Sequence, residues 1–118
     1  MRIYCDSSHT EACFVVEGQE PVIVSYLEVV TNNVGEYKAV ILVLEYAKVC
    51  ELEDIEVFTD SEFVVNQVRG YDKHGQIWKR CKPHLLPYRD KTRQLVRLLN
   101  AKLDWIPREE NLAGKVLE

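Results

Sequence analysis

Three acidic residues, Asp6, Glu36 and Asp60, lie in settings that can bring their carboxylates together. Asp6 ends an apolar, strand-like run, and Asp60 ends another. Glu36 lies between them, in the first turn of an apolar helix pattern. Converging carboxylates bind hard divalent cations, and such cations catalyse phosphoryl transfer. The three acids therefore predict a metal-dependent site for phosphoryl-transfer chemistry.

Each acid also has a purely structural interpretation. Asp60, followed by Ser61, can cap the next helix, and Asp6 can form a local turn through its own side chain. Glu36 can be an ordinary first-turn acid that interacts with the helix dipole. The combination of the three, with Thr-Asn-Asn at residues 31–33 just before Glu36, is more specific than any one of them.

The size and composition predict one folded domain over residues 1–118. Hydrophobic residues make up 47% of the 118 residues, which argues against disorder. The longest apolar stretch, residues 39–44, is too short to span a membrane, and no secretory signal pattern begins the chain. The four cysteines form no Cys-x-x-Cys pair and are expected to be reduced thiols. We expect a cytoplasmic monomer that does not bind membranes.

The net charge of −4 hides a gradient along the chain. Residues 1–60 carry 12 acidic and 3 basic side chains, whereas residues 68–97, the basic segment, carry 2 acidic and 9 basic ones. This segment is either a solvated helix face or a phosphate-binding surface beside the acidic pocket. Its aromatic residues Tyr71 and Trp78 can stack on bases or belong to the core.

Hydrophobic periodicity predicts the order β-β-β-α-β-α-α-β-α. Asn32 or Asn33 is the expected cap of the first helix. The predicted strands are residues 2–7, 12–18, 22–30, 54–60 and 101–106, and the predicted helices are residues 33–50, 61–69, 85–99 and 111–118.

This order is typical of an α/β fold in which three antiparallel strands are followed by parallel ones. The result is a five-stranded mixed sheet flanked by helices on both faces. A helical crossover allows the fourth strand to lie parallel to the first. Asp6 and Asp60 both end strands, so their carboxylates are expected side by side if those strands are neighbours.

Four ordered motifs resemble ribonuclease H type I, especially its compact archaeal-like form, over essentially the whole chain. Residues 3–7 (Ile-Tyr-Cys-Asp-Ser) look like the first catalytic strand. Residues 31–37 (Thr-Asn-Asn-Val-Gly-Glu-Tyr) are similar to the family pattern Thr-Asn-Asn-x-Ala-Glu-Tyr. Residues 58–68 match the third block, and residues 105–111 (Trp-Ile-Pro-Arg-Glu-Glu-Asn) resemble the strand and loop before the fourth.

The resemblance implies an RNase H-like fold and hydrolysis of the RNA strand of RNA–DNA hybrids. It implies two Mg²⁺ or Mn²⁺ ions, with Asp6 bridging both and Glu36 and Asp60 completing the site. It also implies that the enzyme recognises the hybrid by shape and 2′-hydroxyl groups. The residues expected to bind nucleic acid are Ser7, Thr31, Asn32, Asn33, Trp78, Lys79, Arg80 and Lys82.

The fourth block departs from the family pattern Asn-x-x-Ala-Asp. Residues 111–115 read Asn-Leu-Ala-Gly-Lys, so Lys115 stands where the family has a metal-binding aspartate. Glu118 lies three residues later, on the same helical face, and is expected to supply the missing carboxylate unless it is a frayed terminal residue. The alternative function is a catalytically weakened RNase H-fold protein that binds nucleic acid. Another nuclease of the wider fold is disfavoured by the Thr-Asn-Asn block.

Overall fold

A computed structural model describes all 118 residues as five strands and four helices in the predicted order. Single 3-10 turns, Pro83–Leu85 and Arg108–Glu110, precede the third and fourth helices. The strands are β1 (Arg2–Ser7), β2 (Glu11–Val16), β3 (Val22–Ser25), β4 (Glu56–Thr59) and β5 (Lys102–Trp105), and the helices are α1 (Asn32–Val49), α2 (Glu62–Arg69), α3 (Leu86–Leu99) and α4 (Leu112–Leu117).

The strands form one mixed sheet in the spatial order β3-β2-β1-β4-β5. β1 runs antiparallel to β2 and parallel to β4, and β4 runs parallel to β5. Cys5 of β1 is paired with Thr59 of β4. Asp6 and Asp60, each one residue further along, therefore lie side by side at the carboxyl end of these two strands. The strand order and directions confirm the predicted fold class.

Helices cover both faces of the sheet. The larger core packs α1, α2 and α3 against one face, with Ile3, Tyr37 and Val57 fully buried among its members. On the other face, Ala113 of α4 packs with Cys13 and Val15 of β2. All four cysteines are free thiols. No helix combines the length and the apolar character needed to cross a membrane.

The third strand is shorter than predicted. It ends at Ser25, and residues 26–30, which we call the strap, leave the sheet although their sequence, Tyr-Leu-Glu-Val-Val, fits a strand. The backbone N–H of Tyr26 donates to the carbonyl of Thr10, and that of Val30 donates to the carbonyl of His9, at 2.9 Å each. The strap therefore lies along the β1–β2 loop.

The start of α1 also differs from the prediction. Thr31, and neither Asn32 nor Asn33, is its cap, because the Thr31 side chain accepts a hydrogen bond from the N–H of Val34 at 3.4 Å. The helix begins at Asn32, so Glu36 lies in its second turn, whereas the sequence placed it in the first. The Glu36 carboxylate is therefore not engaged in closing the helix end.

Candidate metal centre

The structure brings the three predicted acids together at the carboxyl end of the parallel strands. Asp6 comes from β1, Glu36 from α1, and Asp60 directly follows β4. Each offers one carboxylate oxygen, and these oxygens all lie within 4.8 Å of one another. Three separate elements thus point three carboxylates at a single location.

Burial and mutual repulsion make this a costly place for negative charge. The accessible fraction is 2% for Asp6 and 6% for Glu36. Burial, followed by the charge of Asp60, raises the pKa of Asp6. Burial, followed by the charges of Asp6 and Asp60, raises the pKa of Glu36 to about 9. Without a neutralising charge, Glu36 therefore holds its proton at neutral pH.

The donor set fits a hard divalent cation. Asp6 Oδ1 and Glu36 Oε2 are both buried and have no hydrogen-bond partner. Buried carboxylate oxygens are normally satisfied, because an unpaired one costs free energy. Mg²⁺ and Mn²⁺ prefer oxygen ligands of this kind. Asp6, Glu36 and Asp60 are therefore suited to hold such ions.

Asp60 is positioned without being used as a helix cap. Ser61 caps α2 instead, because its Oγ accepts a hydrogen bond from the N–H of Val64 at 3.2 Å. The indole Nε1 of Trp105 donates to the backbone carbonyl of Asp60 at 3.2 Å. Arg108 Nη1 lies 3.9 Å from Asp60 Oδ2. The carboxylate is therefore fixed in place while remaining available to a ligand.

Asn111 is a positioning residue to which the sequence assigned no role. Its fully buried amide Nδ2 donates to the carbonyl of Cys5 at 2.9 Å and to Asp60 Oδ2 at 3.2 Å. Its Oδ1 accepts from the N–H of Ala113 and so caps α4. One side chain thus joins β1, Asp60 and the last helix. Its place at the start of the fourth motif was the only sequence signal.

α4 approaches the acids through Gly114. A β-carbon at this position would lie 3.4 Å from Asp6 Oδ2 and 3.6 Å from Asp60 Oδ2. These are ordinary van der Waals distances, so the helix backbone itself forms one wall of the cluster. Gly114 is buried, as expected for a residue that faces the sheet.

The structure does not bring Glu118 to the cluster. Lys115 and Glu118 are both exposed, and Lys115 makes no ion pair with the three acids. The carboxylate group that can hold a metal contains only Asp6, Glu36 and Asp60. α4 ends at Leu117, so Glu118 lies beyond the helix, whereas Ala113 and Gly114 occupy the face toward the sheet. A fourth ligand from Glu118 thus finds no support in this arrangement.

The residues predicted to bind nucleic acid near Glu36 differ in how available they are. Thr31 and Asn32 are exposed at the start of α1, and Asn33 is half-buried. The Oγ of Ser7 lies 2.7 Å from both the carbonyl of Ser8 and the hydroxyl of Tyr26. The Ser7 hydroxyl is therefore already engaged within the protein.

The basic segment presents exposed cations around a half-buried tryptophan. Lys79 Nζ lies 5.2 Å from the centroid of the Trp78 ring, and that ring packs nearly perpendicular to the ring of Phe63. Lys79, Arg80 and Lys82 are all exposed. Trp78 therefore anchors the irregular stretch before α3, while the neighbouring charges face solvent.

A groove lies at the opposite end of the parallel strands. It has a volume of about 810 Å³ and lies between α2, α3 and the start of β5. Arg93 donates to the carbonyls of Val68 and Gln67, and Arg69 pairs with Asp104. Arg93 therefore offsets the negative C-terminal end of the α2 dipole, and Arg69 offsets the charge of Asp104. These two arginines thus have a structural role.

Comparison with known proteins gives a consistent result. A sequence model of the RNase H family matches residues 1–108, a match that ends before Asn111 and Lys115. The structure is similar to RNase H1 from the halophilic archaeon Halobacterium salinarum NRC-1, with 25% identity, a TM-score of 0.78, and coverage of 98% of this chain and 92% of that one.

A second similar structure is LC11-RNase H1, isolated from compost by a metagenomic approach. Its identity is 28% and its TM-score is 0.69, with coverage of 98% of this chain and 90% of that one. A structure of LC11-RNase H1 in complex with an RNA/DNA hybrid matches at 24% identity with a TM-score of 0.72, covering 99% of each chain. At that identity the latter match carries information on the fold alone.

Proposed function

Because this chain belongs to the RNase H family, we propose that it hydrolyses the RNA strand of RNA–DNA hybrids by a two-metal-ion mechanism. Family and fold identify it as a ribonuclease H. The observation that carries the mechanism is the buried group of three carboxylates, with oxygens within 4.8 Å of one another and two of them unpartnered. Hydrolysis would leave a 3′-hydroxyl and a 5′-phosphate.

Asp6, Glu36 and Asp60 are the proposed metal ligands. Bound Mg²⁺ or Mn²⁺ ions supply Lewis acidity to the scissile phosphate and lower the pKa of an attacking water. Asp6 would be the ligand that both ions share, the role implied by the resemblance of its strand to the first family motif. Asn111 and Trp105 hold Asp60 in register with Asp6.

The surface around the acids supports hybrid binding. Exposed Thr31 and Asn32 lie at the start of the helix that carries Glu36, where polar groups can meet a phosphate or the minor groove. The exposed cations Lys79, Arg80 and Lys82 are the proposed contacts to the nucleic acid backbone. LC11-RNase H1, which another of its structures matches to this chain at 28% identity, has been crystallised with an RNA/DNA hybrid, and this supports the same substrate class here.

A second candidate function is hybrid binding with weak or no cleavage. The observation that favours it is the composition of α4: Lys115 replaces an aspartate of the family pattern, and no fourth carboxylate joins the cluster. Three ligands hold a cation less tightly than four, so this candidate predicts binding that is retained and hydrolysis that is slow.

A cleavage assay separates the two functions. A hybrid with end-labelled RNA is incubated with the protein and Mg²⁺, Mn²⁺ or EDTA, and binding is measured in parallel. We expect metal-dependent cleavage, and Asp6→Asn should lower kcat at least about 100-fold, a loss of about 3 kcal/mol of transition-state stabilisation. Asp90→Asn, a substitution of an exposed carboxylate, is the matched control. Hybrid binding without cleavage in either metal would instead establish the binding function.

A further inference from the structure

We propose that Tyr26 is a positioning residue of the metal centre, tying the strand end that carries Asp6 to the helix that carries Glu36. This inference rests on the proposed metal-dependent function. Tyr26 belongs to the strap, lies outside all four sequence motifs, and contacts none of the three acids through a hydrogen bond. Its role follows from which backbone and side-chain groups its hydroxyl joins.

The Tyr26 hydroxyl lies between the immediate neighbours of two acids. Its oxygen is 2.7 Å from Ser7 Oγ, and Ser7 directly follows Asp6. It also donates to the carbonyl of Gly35 at 3.1 Å, and Gly35 directly precedes Glu36. Ser7 Oγ also lies 2.7 Å from the carbonyl of Ser8, so its single proton is shared between that carbonyl and the tyrosine oxygen. When Ser7 donates to the tyrosine oxygen, the tyrosine proton is free for Gly35. The two hydroxyls then form a continuous hydrogen-bond chain from β1 to α1.

The tyrosine is itself held from both sides. Its backbone N–H is bonded to the carbonyl of Thr10 in the β1–β2 loop, at 2.9 Å. The ammonium of Lys38, from α1, lies 5.5 Å from the centroid of its ring. The far end of the strap is fixed by the contact of 2.8 Å between His9 Nδ1 and the carbonyl of Val30. The hydroxyl is therefore presented from a fixed position.

The metal centre needs such a tie because its ligands come from separate elements of the fold. Asp6 lies in β1 and Glu36 lies in α1, so the spacing of their carboxylates follows the spacing of these two elements. Metal ligands keep their geometry through the groups that hold them, and loosening those groups weakens metal binding. Tyr26 supplies a neutral link that does not consume a carboxylate oxygen.

The test compares Tyr26→Phe with Tyr37→Phe. Tyr37 also has a buried hydroxyl, which donates to Gln67 Oε1 at 2.5 Å, but this bond joins α1 to α2. Mn²⁺ affinity is measured by calorimetry on folded protein. Tyr26→Phe removes both hydrogen bonds of the hydroxyl, and we expect it to weaken Mn²⁺ binding about fivefold. Tyr37→Phe should leave the affinity unchanged although it lowers stability. An unchanged Mn²⁺ affinity in Tyr26→Phe, or equal losses in both variants, would overturn the inference.

A measurement without metal tests the role of Tyr26 independently of the proposed function. The amide of Gly35 bonds to the carbonyl of Thr31, and the amide of Ser8 bonds to the carbonyl of Glu11. Hydrogen exchange at both amides should accelerate in Tyr26→Phe, with the exchange of β1 and β4 unchanged. If the wild type binds no Mn²⁺, the proposed function fails, and faster exchange still supports the tie. Unchanged exchange at both amides overturns it whatever the metal result.

Discussion

The β-carbon that Gly35 lacks would lie 2.5 Å from the Oγ of Ser7. It would also lie 3.1 Å from Val30 Cγ2 and 3.3 Å from the carbonyl oxygen of Ser8. α1 therefore approaches the end of β1 so closely that a side chain at position 35 would have to displace the Ser7 hydroxyl. The related family pattern has alanine here, whereas glycine leaves room for this hydroxyl in the present chain.

We expect Gly35→Ala to destabilise the protein. Alanine favours a helix interior by up to about 1 kcal/mol relative to glycine, but overpacking a tight contact costs about 1–3 kcal/mol, so the clash wins. Adding Ser7→Gly should recover part of this loss, since the contacts with Val30 and Ser8 remain. Urea unfolding of the two single variants and the double variant gives the coupling free energy. Purely additive effects would show that the two positions are independent.

The stability of the metal-free protein should fall as the pH rises. The pKa of Glu36 is raised to about 9 in the folded state, against 4.5 as its ordinary value, so between these values the folded state binds more protons than the unfolded state. By linkage, the free energy of unfolding decreases with pH over that window and levels off above it.

Glu36→Gln should remove most of this dependence. In EDTA near pH 8 we expect a gain in unfolding free energy on the order of 1–3 kcal/mol, and little change near pH 4.5. Thermal unfolding across the pH range measures both. Exposed Glu53 provides the control through Glu53→Gln, which should follow the wild type. A Glu36→Gln curve parallel to that of the wild type would contradict the raised pKa.

Substitutions at Glu118 and at Lys115 test whether a fourth carboxylate takes part in metal binding. Glu118 is exposed and outside the cluster, so Glu118→Gln should change cleavage by less than about twofold. Lys115→Asp removes a cation and adds an acid at the family position, and should raise Mg²⁺ affinity several-fold. Activity is followed as a function of Mg²⁺ concentration. A tenfold loss in Glu118→Gln would show that the end of α4 joins the site after all.

The exposed cations next to Trp78 should affect hybrid binding more than chemistry. Changing Lys79, Arg80 and Lys82 together to alanine should raise the Kd for a hybrid and lower the slope of log K against log salt by about 2–3, the expected loss of phosphate contacts. kcat should stay within about twofold. Anisotropy titrations at several salt concentrations measure the slope. The control changes Arg97 and Lys102 in the groove at the opposite end of the strands, and equal effects would mean only a general charge response.

The sequence predicts the element order and the meeting of Asp6 with Asp60, because hydrophobic periods and strand ends are local signals. The strap was predicted as strand because Tyr-Leu-Glu-Val-Val has the right side chains. Its hydrogen bonds to Thr10 and His9 depend on tertiary placement that no local pattern encodes.

The role of the last helix was also beyond local prediction. The spacing of Lys115 and Glu118 predicts one shared face, but α4 ends at Leu117 and leaves Glu118 beyond the helix. Which face of α4 meets the acids is set by the rotation of the helix. That rotation depends on the packing of Ala113 against β2 and on the bonds of Asn111, both of which are long-range. The same is true of Tyr26, whose partners lie 19 and 9 residues away.

The caps of α1, α2 and α4 are Thr31, Ser61 and Asn111, so none of the three acids closes a helix. The side chains that cap the helices are thus different from the proposed metal ligands, although Ser61 directly follows Asp60. Any one acid can be exchanged for its amide without removing a helix cap. A cleaving enzyme and a silent hybrid-binding protein are therefore a single substitution apart on this scaffold, and descendants of such a chain can cross that boundary with the fold intact.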